Sequence, residues 1–431
     1  MKRLLCKIIC LFSFKNNPNV IKLDRWMKMY RKTFVEVNID SLRNNVSNII
    51  EKYNDYKYYI AMVKSNAYGH GYYIVNDLIE CGINYFAVSS LEEALEIREY
   101  NKDISILCVE PIEQDSVDIA IKNNITLTIV SYDYISKLIH KNKSKYKVHI
   151  KIDTGMNRIG ISDKDEFNKV ISLLKKNDNV YLEGLFTHFA TPGINDRYFD
   201  MQVNIFKNIT SNIDLKSIPI VHLSSSFILL AHPKIEFANG VRFGTILYGY
   251  DISPRALSNN PKDILRKIRN KYLIKKYNIS ETYSDVNIKL TPALKVKTNI
   301  IQIKHIHAGD KVGYGMLYTA SKDEVIATIP IGFDDGIGIA HINRYVIINN
   351  KKYPVIGEIS MCMMSILIDD SVKLGDEVTV LGDGITLGMI SRLNNTSIHN
   401  TLVNIGKTLP RVYIKNNKVV DIVEHRNEVI K

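Results

Sequence analysis

Tyr58-Tyr59-Ile60-Ala61-Met62-Val63-Lys64-Ser65-Asn66-Ala67-Tyr68-Gly69-His70-Gly71 decides how the rest of the chain is read. Its first six residues form an uninterrupted apolar run, the pattern of a strand buried on both faces. The run ends on a lysine and a polar, glycine-bearing turn. Similar runs recur at Phe34–Ile39, Tyr85–Val88, Ile104–Val109, Thr126–Val130, Val148–Ile152, Leu182–Thr187 and Pro219–Leu223, with Val241–Phe243 following, and helical patterns lie between them. Asp40 and Ser90 are candidate N-caps, the latter with Glu93 three residues on as in a capping box. Repeated strand–helix units predict an α/β fold, an N-terminal (β/α)8 TIM-type barrel over 33–260. An open doubly wound sheet is the alternative, since counting strands does not show closure.

After about residue 290 the pattern changes to β-rich runs at Lys297–Ile306, Glu324–Ile329, Tyr345–Ile348, Met364–Ile368 and Glu377–Leu381, punctuated by Asn, Asp and Gly turns. A mainly β C-terminal domain over 291–431 is expected. Residues 261–290 read as a basic inserted connector, with one helix at Pro261–Lys276.

The 431 residues carry a net charge of +12. The excess is local: residues 1–33 hold nine bases and one acid, and 262–276 hold seven bases and one acid. The remainder is nearly neutral, which disfavours a nucleic-acid binder. Residues 1–32 are expected to be a poorly ordered basic leader, because Lys7 interrupts an apolar stretch too short to span a membrane. Cys6, Cys10, Cys81, Cys108 and Cys362 are scattered, with no CxxC pair for zinc. No metal site is expected, and reduced thiols fit a cytoplasmic protein.

In a parallel barrel, functional groups project from the carboxyl ends of strands. Lys64 stands there, and a lysine at the end of an apolar strand either reaches solvent or serves as a low-pKa nucleophile. Lys151-Ile152-Asp153-Thr154-Gly155-Met156-Asn157-Arg158-Ile159-Gly160 puts two cations and an acid around another turn. Thr187-His188, His222 to Ser226 and Asn239 to Thr245 follow at later strand ends, where glycine turns and hydroxyls can surround a phosphate.

Taken together these segments resemble the alanine racemases, pyridoxal-phosphate enzymes built from a barrel and a β domain. Ala61–Gly71 resembles the family's cofactor-lysine motif, Lys151–Gly160 its KxDTGMxRxG segment, and Gly184–Ala190 and Asn239–Gly249 two further motifs. Val312–Tyr318 and Ile331–Gly336 resemble motifs of its second domain. The resemblance implies racemisation of alanine, supplying D-alanine for peptidoglycan, by a homodimer with shared sites. Lys64 would carry pyridoxal 5'-phosphate and act as one base; Tyr314 of the other subunit would be the second, aided by His188. Arg242 would face the pyridine nitrogen, and Tyr68, Ser226, Gly244 and Thr245 the phosphate. Arg158 would hold the substrate carboxylate, Met361 would reach in from the other subunit, and Lys151 matches a lysine carbamylated in many members.

Two departures bear on the substrate. Phe333 stands where the family has a phosphate-binding tyrosine, and Cys362 stands where an acid lines the substrate entrance. A racemase of another small amino acid such as serine, or a barrel-type decarboxylase or aldolase, is therefore the alternative; Tyr314 and Arg242 argue against the latter two. The partners expected are a small amino acid and a second subunit, with no nucleic acid and no membrane.

Overall fold

The computed structural model describes residues 29, 31–141, 144–190, 196–251 and 288–424, with scattered positions between 261 and 275. Most of the expected leader and connector lies outside these residues. The chain divides into two compact units, residues 42–68 with 72–291 and residues 1–41 with 69–71 and 292–431.

The first unit is a closed barrel of eight strands: β2 (Tyr58–Met62), β3 (Tyr85–Val88), β4 (Ile106–Cys108), β5 (Ile125–Ile129), β6 (Tyr146–Lys151), β7 (Val180–Phe186), β8 (Ile220–His222) and β9 (Gly240–Phe243). Each pairs in parallel with the next, and β9 closes on β2 from Tyr58↔Gly240 to Ala61↔Phe243. Closure removes every sheet edge. Residues two apart along a strand share a face, and Tyr58, Ile60 and Met62 meet Tyr85, Ala87, Leu107, Val109, Phe186 and Ile220 in one cluster that fills the interior. Lys151, His222 and Arg242 have the same inward parity at the far ends of their strands.

The expected first barrel strand is not in the barrel. β1 (Phe34–Asn38) lies in the sheet of the second unit, antiparallel to β10 (Leu294–Asn299) and parallel to β19 (Arg411–Lys415). Its inward residues are apolar in either setting, so its own pattern does not distinguish the two. The following helix, Ile39–Lys52, is capped by Asn38, whose Oδ1 accepts from Ser41 N–H at 2.8 Å, rather than by Asp40.

The sheet unit holds ten strands in the order β11-β14-β17-β16-β15-β18-β10-β1-β19-β20. The remaining members are β11 (Gln302–Ile306), β14 (Glu324–Ile329), β15 (Tyr345–Ile348), β16 (Lys351–Ile356), β17 (Met364–Ile368), β18 (Glu377–Leu381) and β20 (Lys418–Val423). The apolar runs do not anticipate β16 or the β19–β20 hairpin, although Asn349-Asn350 and Asn416-Asn417 form their turns with positive φ, as tight hairpins require. A small ribbon, β12 (Lys311–Val312) with β13 (Tyr318–Thr319), stands apart from the sheet.

Two residues assigned to the leader are built into this unit. Met29 is buried against Phe34, Val412 and Ile422. Arg31 donates from both terminal nitrogens to the carboxylate of Asp335, each at 2.6 Å. An apolar side chain and a bidentate pair tie down the segment entering β1.

Candidate active site

Val63 N–H continues the β2–β3 ladder by donating to Ala87 O at 3.0 Å, and half-buried Lys64 is the first residue past that edge. Ser65, Asn66, Ala67 and Tyr68 then have φ of 53°, 53°, 52° and 52°. This is one turn of left-handed helix, which costs L-residues about 1–2 kcal/mol each. Side-chain periodicity does not announce it. Ser65 N–H donates to Glu93 Oε1 at 2.5 Å, and Ala67 N–H donates to Val63 O at 2.8 Å. The Tyr68 ring stacks on Tyr248 at 5.0 Å, and the Tyr248 hydroxyl donates to Met62 O at 2.9 Å.

Glu93 is thus more than the expected cap. Ser90 Oγ does accept from Glu93 N–H, at 3.4 Å. The carboxylate, however, bridges Ser65 N–H and Ser89 N–H, the latter at 2.8 Å. It therefore fastens the lysine turn to the next βα connection. The S-x-x-E spacing was the available signal, but it suggested only a local partner.

The glycines completing the lysine motif belong with the sheet unit. Gly71 has φ +84°, and a Cβ there would lie 2.0 Å from Tyr413 Oη; the same hydroxyl donates to His70 O at 3.0 Å. Gly71 serves this close approach, and a Cβ on Gly69, at φ +83°, would lie 3.0 Å from Leu402 O.

β6 delivers Lys151, and Asp153 orders the turn after it by accepting from the N–H groups of Gly155, Asn157 and Arg158 at 2.9–3.1 Å. The acid in this motif is therefore a turn anchor, leaving the Arg158 side chain exposed. Lys151 Nζ is buried over the Phe186 ring and donates to Ile152 O at 3.2 Å. Burial, with Arg242 and Arg158 nearby, lowers its pKa to about 7. Burial also lowers His188 to about 3, aided by the charges of Arg242, Lys151, Arg158 and Lys64. The charges of these four residues therefore all favour a neutral imidazole at His188.

Arg242 is 4% exposed at the end of β9. Its terminal nitrogens donate to the carbonyls of His222, Thr187 and Leu223 at 2.5–2.9 Å and to His222 Nδ1 at 3.0 Å. Among the described residues these bonds leave its Nε–H unused and give it no carboxylate partner. Burial pulls its pKa down to about 9.

Beside it, Gly244 N–H donates to Ser226 Oγ at 2.7 Å, and a Cβ on Gly244 would lie 3.4 Å from Ser226 Oγ and 3.5 Å from Tyr68 Oη. The missing side chain leaves a small space walled by two hydroxyls. Thr245 is buried next in sequence. Burial raises Tyr68 to about 12, which keeps its hydroxyl a donor. Cations and hydroxyl donors suit a ligand bearing oxyanions, phosphate or carboxylate. The barrel unit thus brings together Lys64, Tyr68, Lys151, Arg158, His188, Ser226, Arg242, Gly244 and Thr245.

Tyr314 and Met361 lie in the other unit. Tyr314 sits in a tight turn between β12 and β13, flanked by Gly313 and Gly315 at φ +77° and +63°. The segment 357–363 packs against that turn and against Gly332, since a Cβ on Gly313 would meet Glu358 N at 3.3 Å and one on Gly332 would meet Met361 O at 2.3 Å. One face therefore collects Tyr314, Phe333, Met361, Cys362 and Met363, all exposed; Tyr314 is 67% exposed.

Comparison with known proteins matches the same two parts. The alanine racemase N-terminal domain model covers residues 37–252, and the alanine racemase C-terminal domain model covers 293–413. An alanine racemase of Streptococcus agalactiae is 32% identical over 391 residues, spanning 89% of this chain and 99% of that protein. The solved alanine racemase of Clostridium difficile superposes with a TM-score of 0.80 at 32% identity, over 92% of this chain and 99% of that one. A histidine racemase from Leuconostoc mesenteroides, at 24% identity and a TM-score of 0.78 over 90% of this chain and 99% of that one, shares the fold. Two domain models in order, and relatives covered nearly end to end, lead to one conclusion: the chain belongs to the alanine racemase family of isomerases.

Proposed function

We propose that the protein interconverts L- and D-alanine with pyridoxal 5'-phosphate, as a homodimer in which each barrel works with Tyr314 of a second copy. The observation that carries this reading is the barrel mouth, where Arg242 at the end of its strand, with no carboxylate partner among the described residues, is followed by the space that Gly244, Ser226 and Tyr68 bound. The residues fit the cofactor: Lys64 offers an amine, Gly244, Ser226 and Tyr68 bound a space suited to a phosphate, and Arg242 keeps Nε–H for a ring nitrogen. When bound, the cofactor supplies a conjugated ring that draws off the charge left at an amino acid's α-carbon after proton loss.

Everything else falls to the chain. Tyr68, Ser226, Gly244 and Thr245 hold the phosphate. Arg242 cannot be a proton source at neutral pH, so it keeps the ring nitrogen a neutral acceptor and limits chemistry to proton exchange. Arg158 holds the substrate carboxylate. Lys64 Nζ moves a proton at one face of the α-carbon, and the Tyr314 hydroxyl of the partner subunit moves one at the other, with neutral His188 accepting from that hydroxyl. Met361 adds a contact from the second copy. The exposed apolar face around Tyr314 supports its burial against another copy.

Lys151 is suited to carbamylation, in which its neutral amine adds to carbon dioxide and releases a proton. The product is an anion between Arg242 and Arg158. Burial favours the reactive neutral amine near pH 7. D-alanine for peptidoglycan and a cytoplasmic location follow as the biological setting.

The purified protein with added cofactor is expected to convert L-alanine to D-alanine. Lys64→Ala is expected to abolish both covalent cofactor attachment and conversion. A dimeric, cofactor-loaded protein that leaves alanine's configuration untouched would overturn the proposal. Exposed Cys362 beside Met361, where the family has an acid, favours a second reading, racemisation of another small amino acid such as serine. Comparing kcat/KM for alanine and serine separates the two.

A further inference from the structure

The barrel interior beneath Arg242 contains a line of polar side chains that none of these roles uses. Arg242 donates to His222 Nδ1 at 3.0 Å, His222 Nε2 lies 2.9 Å from His149 Nδ1, and His149 Nε2 lies 3.2 Å from Glu183 Oε2. Both imidazoles are fully buried. Glu183 Oε2 also accepts from Tyr85 Oη at 2.6 Å and Thr126 Oγ1 at 3.1 Å, while Oε1 pairs with Lys147 Nζ at 3.0 Å. The backbone makes room for the line: a Cβ on Gly184 would fall 2.6 Å from the His149 ring.

The end groups fix its direction. A guanidinium only donates and a carboxylate only accepts. His222 Nδ1 must therefore accept, so its proton sits on Nε2; His149 Nδ1 accepts that proton's hydrogen bond, so its own proton also sits on Nε2 and points to Glu183. Burial lowers both histidines' pKa, consistent with neutral rings. For Glu183, burial pushes upward, but hydrogen bonds from His149, Tyr85 and Lys147 outweigh it and bring the carboxyl to about 2. A cation without a carboxylate of its own is thus joined to an anion on the other side of two neutral rings.

We propose that Glu183 is a positioning residue for Arg242, acting through His149 and His222 by holding both imidazoles in the Nε2-protonated form. Its consequence for the reaction rests on the reading of Arg242 as the donor facing the ring nitrogen. The tautomers themselves do not. In Glu183→Gln, Lys147 is a pure donor and draws the amide oxygen to its side, which turns the NH2 group toward His149 Nε2. That reverses the line and presents an N–H from His222 to Arg242.

The test is 15N NMR of the histidine rings in cofactor-free protein at neutral pH, for wild type and Glu183→Gln. Wild type is expected to show Nε2–H at His149 and His222, and Glu183→Gln to shift both toward Nδ1–H. On the loaded enzyme the same variant is expected to lose about ten-fold in kcat with KM little changed and to alter the bound cofactor's absorption. Either wild-type ring protonated on Nδ1 overturns the proposal, and so does a folded Glu183→Gln with unmoved tautomers or unmoved kinetics. If Glu183→Gln does not fold, Gly184→Ala, which displaces the His149 ring, takes its place in both measurements, and unmoved tautomers or kinetics in that variant likewise overturn the proposal. Wild-type protein that has the expected tautomers yet binds no cofactor would instead overturn the reading of Arg242.

Discussion

The barrel mouth and the Tyr314 face carry the proposed chemistry in opposite physical states. At the mouth, Arg242 is held by four acceptors, Lys64 is followed by a turn pinned at three points, and two cations are acidified by burial. On the other face, a phenol on a glycine-flanked turn and two methionines of the segment packed against it, Met361 and Met363, stand in solvent. A group kept buried and preorganised costs stability, which its own chain must offset. A group left exposed costs little until something covers it. Under the proposed function, cofactor holding falls to the single chain and one of the two proton transfers to assembly.

The largest expected effect tests that division directly. Tyr314→Phe removes only a hydroxyl on an exposed side chain, so cofactor binding and thermal stability are expected to persist while proton exchange from one enantiomer falls by about 10²- to 10⁴-fold. Equal loss in both directions, seen by following α-deuterium wash-out from each enantiomer, would break the comparison. At the mouth, Glu93→Ala frees the N–H groups of Ser65 and Ser89 and is expected to cost ~2 kcal/mol in denaturant unfolding. It should also weaken cofactor binding, because the left-handed turn loses its anchor. An unchanged cofactor affinity would mean that turn holds itself.

A smaller effect is set by pH. Lys151 has its pKa lowered on folding, so between about 7 and its unfolded value near 10.4 the unfolded chain binds more protons. Stability from this group therefore rises with pH across that window, and Lys151→Met should flatten the slope. Carbamylation has the same sign: it should fade as pH falls through about 7, read by 13C NMR with labelled bicarbonate. The smallest expected effect is on the exposed face, where Met361→Ala should leave cofactor affinity and the isolated subunit's stability within about 0.5 kcal/mol of wild type. Weakened dimerisation in sedimentation would sharpen the assignment of that face to assembly.

Several parts of the site were legible because their chemistry is local. Lysine after a buried strand, an Asp-Thr-Gly turn between two cations, and glycine with hydroxyls after the last barrel strands each announce themselves within ten residues. Glu93 was legible only in part, since S-x-x-E spacing gives a cap but not the distant Ser65 it also holds. His149 and His222 carry no assignment in the sequence reading, although a polar residue at an inward position of an apolar strand is a signal for each; Glu183 lies three places from inward Phe186, and the register irregularity opposite Val148 and His149 that brings it inside has no mark in the sequence. Their meaning depends on three strands meeting.

What the sequence determined by itself is the alternation of strands and helices, the change to a β-rich second half, and the residue types at each strand end, because burial periodicity and turn chemistry act over a few residues. Tertiary structure alone decided that β9 closes on β2, that β1 joins the other sheet, that Ser65–Tyr68 wind left-handed, and that Gly69–Gly71 serve the sheet unit. Those outcomes depend on pairing and packing between residues far apart in the chain, and an apolar strand looks the same whichever partner it finds.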